Sequence, residues 1–212
     1  MINYKDLIKN LTEQDFKDKK ANLHIHTTFS DGEGDFDRLT EQAEELGYKY
    51  ISITDHNTME GYSKSEKAAS SILIPGVEFD VWCGYVFMHL LAYGADKKNP
   101  ELKKFFASTK RGTEWDIARL FSTRNLKKLI EAIHSAGGIA VLAHPACCWC
   151  LSPERFIKEL VNSGLDGIEI YYPYPKLRGI LKFHNEEVFA RLADKYNLIK
   201  TGGTDCHSAN LD

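Results

Sequence analysis

Paired histidines and carboxylates occur in this sequence at spacings that place potential metal ligands side by side. His24 and His26 are two residues apart in the run ANLHIHTT, and Asp205 and His207 have the same spacing in TGGTDCH. Successive side chains of a strand point to opposite faces, so a spacing of two puts both groups on one face. Such a pair is suited to binding one divalent cation.

Further residues with the same ligand chemistry follow other apolar runs of the chain. The run ILIPGVEF contains an isolated glutamate, and in GGIAVLAHP a histidine directly follows the apolar residues. Unpaired imidazoles and carboxylates in a protein core each cost several kcal/mol, and bound cations remove that cost. Six of the eight histidines fall in the combined set, so we interpret it as a metal centre rather than an ordinary polar core. The added residues are Asp31, His56, Glu78, His89 and His144.

The ligand set also indicates which metals and which reaction to expect. Nine side chains, with one glutamate shared, can hold two or three divalent cations together with water. Imidazole and carboxylate ligands without thiolate favour manganese, iron or zinc over magnesium or calcium. Water on such a cation loses a proton near neutral pH, and neighbouring cations can clamp a phosphoryl oxygen. The sequence therefore predicts a phosphoesterase that uses a metal-bound hydroxide, while hydrolysis of an amide or a lactone stays open.

Other polar residues are candidates for supporting roles in this reaction. Asp205 or His207 could handle the proton, and Asp55 could orient a metal-bound histidine or water. A phosphorylated substrate also requires cationic side chains that bind its oxygens. The candidates for substrate binding are Arg111, Lys176 and Arg178.

Composition excludes some partners and locations. The formal net charge of −3 provides no basic surface for gripping duplex nucleic acid, but it is compatible with a small phosphorylated substrate. The run MINYKDLIKN contains no apolar stretch that could serve as a signal peptide, and no apolar run approaches the length of a membrane span, so we expect neither element. Its five cysteines are an odd number, which predicts reduced thiols in the cytoplasm. The oligomeric state stays open.

The elements that must position these residues alternate between strands and helices. Strand patterns cover residues 23–26, 50–54, 72–78, 85–93, 139–143, 167–171 and 198–201. The main helical patterns cover residues 36–46, 62–71, 99–106, 115–136, 153–162 and 186–196. This alternation predicts an α/β domain over residues 1–212 with a parallel sheet closed into a TIM-like barrel. Most ligand candidates then fall at the carboxyl ends of strands, where barrel enzymes place their chemistry.

The chain resembles the PHP family, named for polymerase and histidinol phosphatase, in an ordered set of motifs spanning residues 21–207. The motifs are ANLHIHTTFSDGEG, ISITDHNTMEGY, ILIPGVEF, the strand containing His89, GGIAVLAHP and TGGTDCH. The resemblance implies a distorted (β/α)7 barrel with a site for two or three metals. The SDG motif of this chain is similar to the form found in the family branch that acts on nucleoside 5′-phosphates and short oligonucleotides.

The resemblance also implies how the ligands divide among the metals. The first metal would be held by His24, His26, Glu78 and Asp205. Glu78 would bridge to a second metal, which is completed by His89 and His144. The third would be held by Asp31, His56 and His207. A histidinol-phosphatase-like enzyme and a non-catalytic module, as found attached to polymerases, are the alternatives, and the complete ligand set argues against the module.

Overall fold

The computed structural model describes residues 3–174 and 182–211, in which helices and strands form an α/β fold. The strands are β1 (Ala21–Ile25), β2 (Tyr50–Ile53), β3 (Gly76–Cys83), β4 (Val86–Tyr93), β5 (Ile139–Leu142), β6 (Gly167–Tyr171) and β7 (Ile199–Gly202). The helices are α1 (Tyr4–Lys9), α2 (Glu13–Lys17), α3 (Phe36–Glu45), α4 (Gly61–Lys64), α5 (Pro100–Lys103), α6 (Arg111–Glu114), α7 (Asp116–Leu120), α8 (Leu126–Ser135), α9 (Pro153–Asn162) and α10 (Glu186–Lys195). None of these helices is long and apolar enough to cross a membrane.

The strands form a two-stranded sheet, β1-β2, and a five-stranded sheet in the order β3-β4-β5-β6-β7. Parallel pairing joins β1 to β2, β5 to β6 and β6 to β7. The prediction of an all-parallel sheet is wrong at β4, which runs antiparallel to both β3 and β5. Only Gly84 and Tyr85 separate β3 from β4. A connection this short forms a hairpin, because a parallel crossover needs about a dozen residues or more.

Single parallel bridges connect the two sheets. Ile25 at the end of β1 bridges to Cys206, and His56 beyond β2 bridges to Glu78 in β3. The backbone N–H of His26 donates to the carbonyl oxygen of Cys206 at 2.8 Å. These contacts bring the carboxyl ends of β1, β2 and β7 together with β3, although continuous ladders do not join the two sheets among the described residues.

The predicted helix over residues 115–136 is two helices, α7 and α8. Asn125 caps the start of α8 by accepting a hydrogen bond through its side chain. In the intervening segment, the Ser122 hydroxyl and the Arg124 guanidinium donate to the carbonyl oxygen of Asp80 at 2.7 and 3.2 Å. These tertiary bonds tie the break to β3, and the break lets α7 lie beside that strand.

A separate apolar cluster packs under α1, and we call it the α1 cluster. Ile8 of α1 is fully buried in it, and Tyr93 donates its hydroxyl to the carbonyl oxygen of Leu23 at 2.9 Å. Packing of this kind is the main source of helix stability in a helix as short as α1. The members of the α1 cluster are Ile8, Leu23, Ile74, Leu91, Tyr93, Ile139, Val141 and Ala143.

Candidate metal centre

The ends of β1 and β7 position two buried imidazoles next to each other. His24 and His26 are fully buried, and their ring centroids lie 5.2 Å apart. The side chain of Asn22 joins β1 to the loop after β7, because its Oδ1 accepts hydrogen bonds from the backbone N–H of both His24 and Thr204. A Cβ at Gly203 would lie 2.3 Å from the Cβ of His24, so this loop can pass the strand only with glycine there.

Glu78 of β3 lies at the centre of the site and faces five imidazoles. Its Oε2 lies 3.1 to 3.4 Å from the Nε2 atoms of three histidines. Its Oε1 lies 3.1 and 3.3 Å from ring nitrogens of two others. A single carboxylate that faces two groups of imidazoles could help to hold more than one cation. The imidazoles belong to His24, His26 and His56 on the Oε2 side and to His89 and His144 on the Oε1 side.

Three overlapping groups of side chains place one donor atom each within 4.8 Å of one another. The first group is His24, His26, Glu78 and Asp205. The second is His56, Glu78 and His89, and the third is His26, Asp31, His56 and His207. His144 lies outside these groups, although its Nε2 is 3.2 Å from the Nδ1 of His89. The structure therefore brings all nine predicted ligands together, and we call them the histidine–carboxylate cluster.

The donor atoms of this cluster fit divalent cations. Within the described residues, Nε2 of His24, Nε2 of His26 and both carboxylate oxygens of Glu78 are buried and make no hydrogen bond. Buried polar atoms are normally hydrogen-bonded or bound to a metal, because leaving them without a partner is costly. A cation between these nitrogen and oxygen atoms would satisfy them, and the mixed ligand set suits manganese, iron or zinc.

The electrostatics of the cluster favour positive charge at its centre. Burial alone would lower the pKa of His26, but Asp205 and Glu78 outweigh burial and raise that pKa to about 9. Burial likewise opposes ionisation of Glu78, yet the surrounding imidazoles hold its pKa well below the usual range. At His56 burial dominates and lowers the pKa to about 3. The ionised carboxylates that attract protons onto the neighbouring imidazoles equally attract divalent cations.

The outer side of the cluster contains a buried carboxylate that the sequence patterns missed. Asp80 Oδ1 lies 3.2 Å from Nε2 of His89 and 3.5 Å from Nδ1 of His56. Its other oxygen accepts a hydrogen bond from the Asn57 side chain. The signal was present, because Glu78 and Asp80 are two residues apart, but the predicted strand ended at residue 78 while β3 continues to residue 83.

Glu169 of β6 is a second carboxylate that the sequence analysis did not single out. One of its oxygens lies 3.0 Å from Nδ1 of His24, and the other accepts the backbone N–H of His144 at 2.8 Å. His144 has a positive φ of 25°, which is uncommon outside glycine. Glu169 therefore orients one cluster imidazole and holds the strained backbone of another. A lone charged residue in the apolar strand GIEIY was the only signal for it.

Asp31 and His207 lie at the partly exposed edge of the cluster, beside Arg119. His207 Nε2 lies 3.3 Å from Asp31 Oδ1, while its Nδ1 lies 2.8 Å from the carbonyl oxygen of Asp205. Arg119 of α7 places Nη1 2.9 Å from Asp31 Oδ2 and Nε 3.7 Å from Asp80 Oδ1. The hydroxyl of Tyr172 donates to Asp205 Oδ2 at 2.9 Å, which fixes that carboxylate.

Asp55 is buried, but the structure places its carboxylate in the loop after β1 rather than at the cavity. Its oxygens accept hydrogen bonds from the backbone N–H and hydroxyl of Thr27, both at 2.7 Å, and from the Ser30 hydroxyl at 2.8 Å. Ser30 in turn lies 3.5 Å from Nδ1 of His26. Asp55 thus contacts the cluster only through this loop, and its predicted role of orienting a metal-bound histidine stays a prediction.

A cavity of about 560 Å³ opens over the cluster. Asp31, Glu78 and Asp205 lie on its polar wall, and Arg119 also lines it. The predicted substrate-binding residue Arg111 does not line it, since its guanidinium lies over the Trp115 ring at 5.1 Å. The structure thus brings Arg119, which the sequence patterns did not single out, to the cavity, and it places Arg111 away from it. The other two predicted substrate-binding residues, Lys176 and Arg178, lie outside the described residues.

Comparison with known proteins gives a consistent family. The family model described as PHP domain matches residues 22–193. The chain is 24% identical to the phosphoribosyl 1,2-cyclic phosphate 1,2-diphosphodiesterase of Eggerthella lenta, with 87% of this chain and 93% of that protein covered. It is 33% identical to a 5′-3′ exoribonuclease of Haemophilus influenzae, with 89% of this chain and 90% of that protein covered.

A solved structure has the same fold. A protein from Bifidobacterium adolescentis, proposed to be a metal-dependent phosphoesterase, superposes with a TM-score of 0.70. The superposition covers 88% of this chain and 87% of that one, at 23% sequence identity. At this level of identity the likeness concerns the fold.

Proposed function

Because the chain belongs to the PHP domain family and is a metal-dependent hydrolase of phosphoric esters, we propose that it cleaves a small phosphomonoester or a nucleotide phosphate. The observation that carries this proposal is the position of Glu78, whose two carboxylate oxygens each face a separate group of imidazoles. This arrangement supports two or three divalent cations side by side, held by the histidine–carboxylate cluster. Manganese, iron or zinc suits these ligands.

Cations bound there would supply Lewis-acid stabilisation of a phosphoryl oxygen and an activated water. The protein's own residues position the ester. Arg119 lines the cavity and offers a guanidinium to the non-bridging oxygens, in the planar geometry that suits phosphate. It replaces Arg111 as the proposed phosphate-binding residue. Lys176 and Arg178 stay candidates for substrate binding.

Asp205 and His207 are the proposed groups for proton handling. The Nδ1–H of His207 donates to the carbonyl oxygen of Asp205, which leaves Nε2 as the nitrogen that faces Asp31. Tyr172 occupies one oxygen of Asp205, so its other oxygen is the one that faces His24 and His26. We propose that the oxygen of Asp205 directed at the cluster is the one that handles the proton.

The substrate class is supported by the cavity and by the two relatives. A volume of about 560 Å³ lies within the usual range for small-molecule sites and exceeds what a phosphoryl group alone fills. The relatives are named for a cyclic sugar phosphate and for RNA, so their phosphates share an attached sugar. We propose a phosphorylated small molecule such as a nucleotide, or the end of a short oligonucleotide, as the substrate.

We further propose that residues 1–212 form one domain, in which the strands close into a distorted (β/α)7 barrel. The single bridges from Ile25 to Cys206 and from His56 to Glu78 support this closure, because they connect both edges of the five-stranded sheet to the β1-β2 pair. A crystal structure in which these edges are separated by solvent would contradict closure.

The deciding experiment is phosphate release from the purified protein, reconstituted with Mn²⁺, Fe²⁺ or Zn²⁺ and compared with chelated protein. The panel contains sugar phosphates, nucleoside 5′-monophosphates, histidinol phosphate and short single-stranded oligonucleotides. We expect release that requires the cation and is lost in Glu78→Gln. The exposed Glu131→Gln removes the same charge from α8 and serves as the matched control.

Two results would contradict the proposal. One is no release from any phosphoester by protein that metal analysis shows to be loaded. The other is hydrolysis of lactones or amides in the same panel at rates well above those of the phosphoesters. Strong preference for histidinol phosphate over nucleotides would replace the proposed substrate with that of a histidinol-phosphatase-like enzyme.

A further inference from the structure

The cavity over the cluster has an apolar wall that phosphoester hydrolysis itself does not require. Its polar side is formed by the histidine–carboxylate cluster and Arg119, while Phe87, Met88 and Leu120 line another side. Phe87 is half-buried on β4, and Leu120 of α7 is 43% exposed. A ligand that matches both sides therefore carries an anionic head and an apolar body.

Aromatic rings continue outward from the cluster along this wall. The ring of Phe87 lies 5.4 Å from that of His89 in a T-shaped arrangement, and the ring of Trp82 lies 5.2 Å beyond Phe87. Aromatic pairs attract one another at centroid separations of about 4.5–7 Å. The three residues His89, Phe87 and Trp82 thus form a ladder from the candidate metal centre to the surface.

The fold holds this ladder in place. Trp82 and Phe87 are directly opposite each other in the antiparallel pair of β3 and β4. The indole N–H of Trp82 donates to the carbonyl oxygen of Leu120 at 2.9 Å, which joins the hairpin to α7. Trp82 nevertheless remains 37% exposed, so the outer end of the ladder is open to solvent.

We propose that this wall is a binding subsite for a planar aromatic group attached to the phosphoryl group of the substrate. Phe87 is the side chain that contacts the planar group, and Trp82 positions Phe87 from behind. The inference rests on the proposed phosphoesterase function, because the cluster must hold the phosphoryl end. A nucleobase and a simple aryl group share the required planar chemistry.

The test uses phosphonates, whose carbon–phosphorus bond the enzyme does not hydrolyse, titrated calorimetrically into manganese-loaded protein. Phenylphosphonate is compared with methylphosphonate, and a nucleoside 5′-phosphonate distinguishes a nucleobase from a simple aryl group. We expect phenylphosphonate to bind about tenfold more tightly than methylphosphonate, the scale of one ring-stacking contact. Phe87→Leu removes this preference, whereas Phe87→Tyr keeps it.

Two tryptophan variants separate positioning from general apolar contact. Trp82→Leu is expected to reduce the preference by about threefold, which is smaller than the effect of Phe87→Leu because Trp82 acts through the Phe87 ring. Trp149→Leu changes a 60% exposed tryptophan that does not line the cavity, so the preference stays at the wild-type value.

The outcomes distinguish this inference from the proposed function. Equal affinity of the wild-type protein for phenylphosphonate and methylphosphonate, or a preference that survives in Phe87→Leu, overturns the aromatic subsite alone. If Phe87→Leu instead changes the sedimentation coefficient and leaves the preference intact, the wall is a contact between copies and the subsite is refuted. Failure of both phosphonates to bind, together with no metal-dependent phosphate release, overturns both proposals.

Discussion

The histidine–carboxylate cluster and the α1 cluster lie within the same set of strands but are built on opposite principles. In the α1 cluster, Ile8 and Leu23 are fully buried, and the Tyr93 hydroxyl has a backbone partner. In the other cluster, buried atoms of His24, His26 and Glu78 have no hydrogen bond. One region therefore stabilises the fold by itself, whereas the other contains buried ligand atoms that divalent cations would satisfy.

The largest expected effect is the loss of hydrolysis on substitution of a residue in the histidine–carboxylate cluster. Glu78→Gln removes the carboxylate that faces both groups of imidazoles, and an amide is a poor bridge between cations. We expect phosphoester hydrolysis to fall to the background rate and bound metal to decrease, while the far-UV circular dichroism spectrum stays that of the wild type. Wild-type turnover in Glu78→Gln, at wild-type metal content, would refute the central role of this residue.

A substitution in the α1 cluster should lower the stability of the protein without lowering the turnover of the molecules that stay folded. Ile8→Ala leaves a cavity under α1, which we expect to lower the free energy of unfolding by about 2–5 kcal/mol. The exposed Leu46→Ala serves as the control, with an expected change within about 0.5 kcal/mol. Urea denaturation measures both values, and equal stabilities of the two variants would contradict the comparison.

A smaller effect, on metal affinity, is expected from Glu169, which contacts cluster residues without lining the cavity. Glu169→Gln keeps the size of the side chain but weakens the contacts to His24 Nδ1 and to the backbone N–H of His144. We expect metal affinity to drop by about 10–100-fold, the usual cost of losing a partner behind a metal ligand. Competition with a fluorescent chelator measures the affinity, and an unchanged value would show that Glu169 does not orient these ligands.

The smallest expected effect is on the pH dependence of stability, and it concerns Asp166, a carboxylate directly before β6. Asp166 accepts the backbone N–H of Ala140 at 3.0 Å and contacts Lys5 and His134 at 2.8 and 2.7 Å. Burial opposes its ionisation, but these partners outweigh burial and lower its pKa. A lowered pKa adds stability above the unfolded-state value near pH 4, and this is lost as pH falls through the folded-state pKa.

Asp166→Asn should therefore be about 1 kcal/mol less stable than the wild type above pH 5, with a difference that shrinks below pH 4. Urea denaturation at pH 6 and at pH 3.5 tests the sign. A difference that grows on acidification would contradict the assigned direction of the pKa shift. Lys5→Met, compared under the same conditions, separates the contribution of the exposed lysine from that of the backbone hydrogen bond.

The sequence predicted the α/β class and the residues of the cluster because both leave local signals. His24 and His26 have a spacing of two that marks one face of a strand. Asp205 and His207 have the same spacing, although they lie beyond the end of β7 and Asp205 has a positive φ of 49°. The reversed direction of β4 was missed because an apolar run carries no information on strand direction. The two-residue connection at Gly84 would have been the clue.

The supporting residues were harder to predict because their partners are distant in sequence. Glu169 contacts His24 across 145 positions, and Arg119 contacts Asp31 across 88. Neither contact follows from periodicity, since both depend on how helices and strands pack. Arg119 was also hidden by the prediction of a single helix over residues 115–136, which ignored the tertiary bonds of Ser122 and Arg124.

The bridge between Ile25 and Cys206 joins residues far apart in the chain, so the metal ligands are brought together late in translation. Asp205 reaches His26 at 3.0 Å only after nearly all of the described chain has been synthesised, since 179 positions separate the two residues. The α1 cluster, in contrast, draws its last member from Ala143. During translation the ribosome therefore releases the complete apolar cluster first, and a nascent chain acquires its full set of metal ligands last.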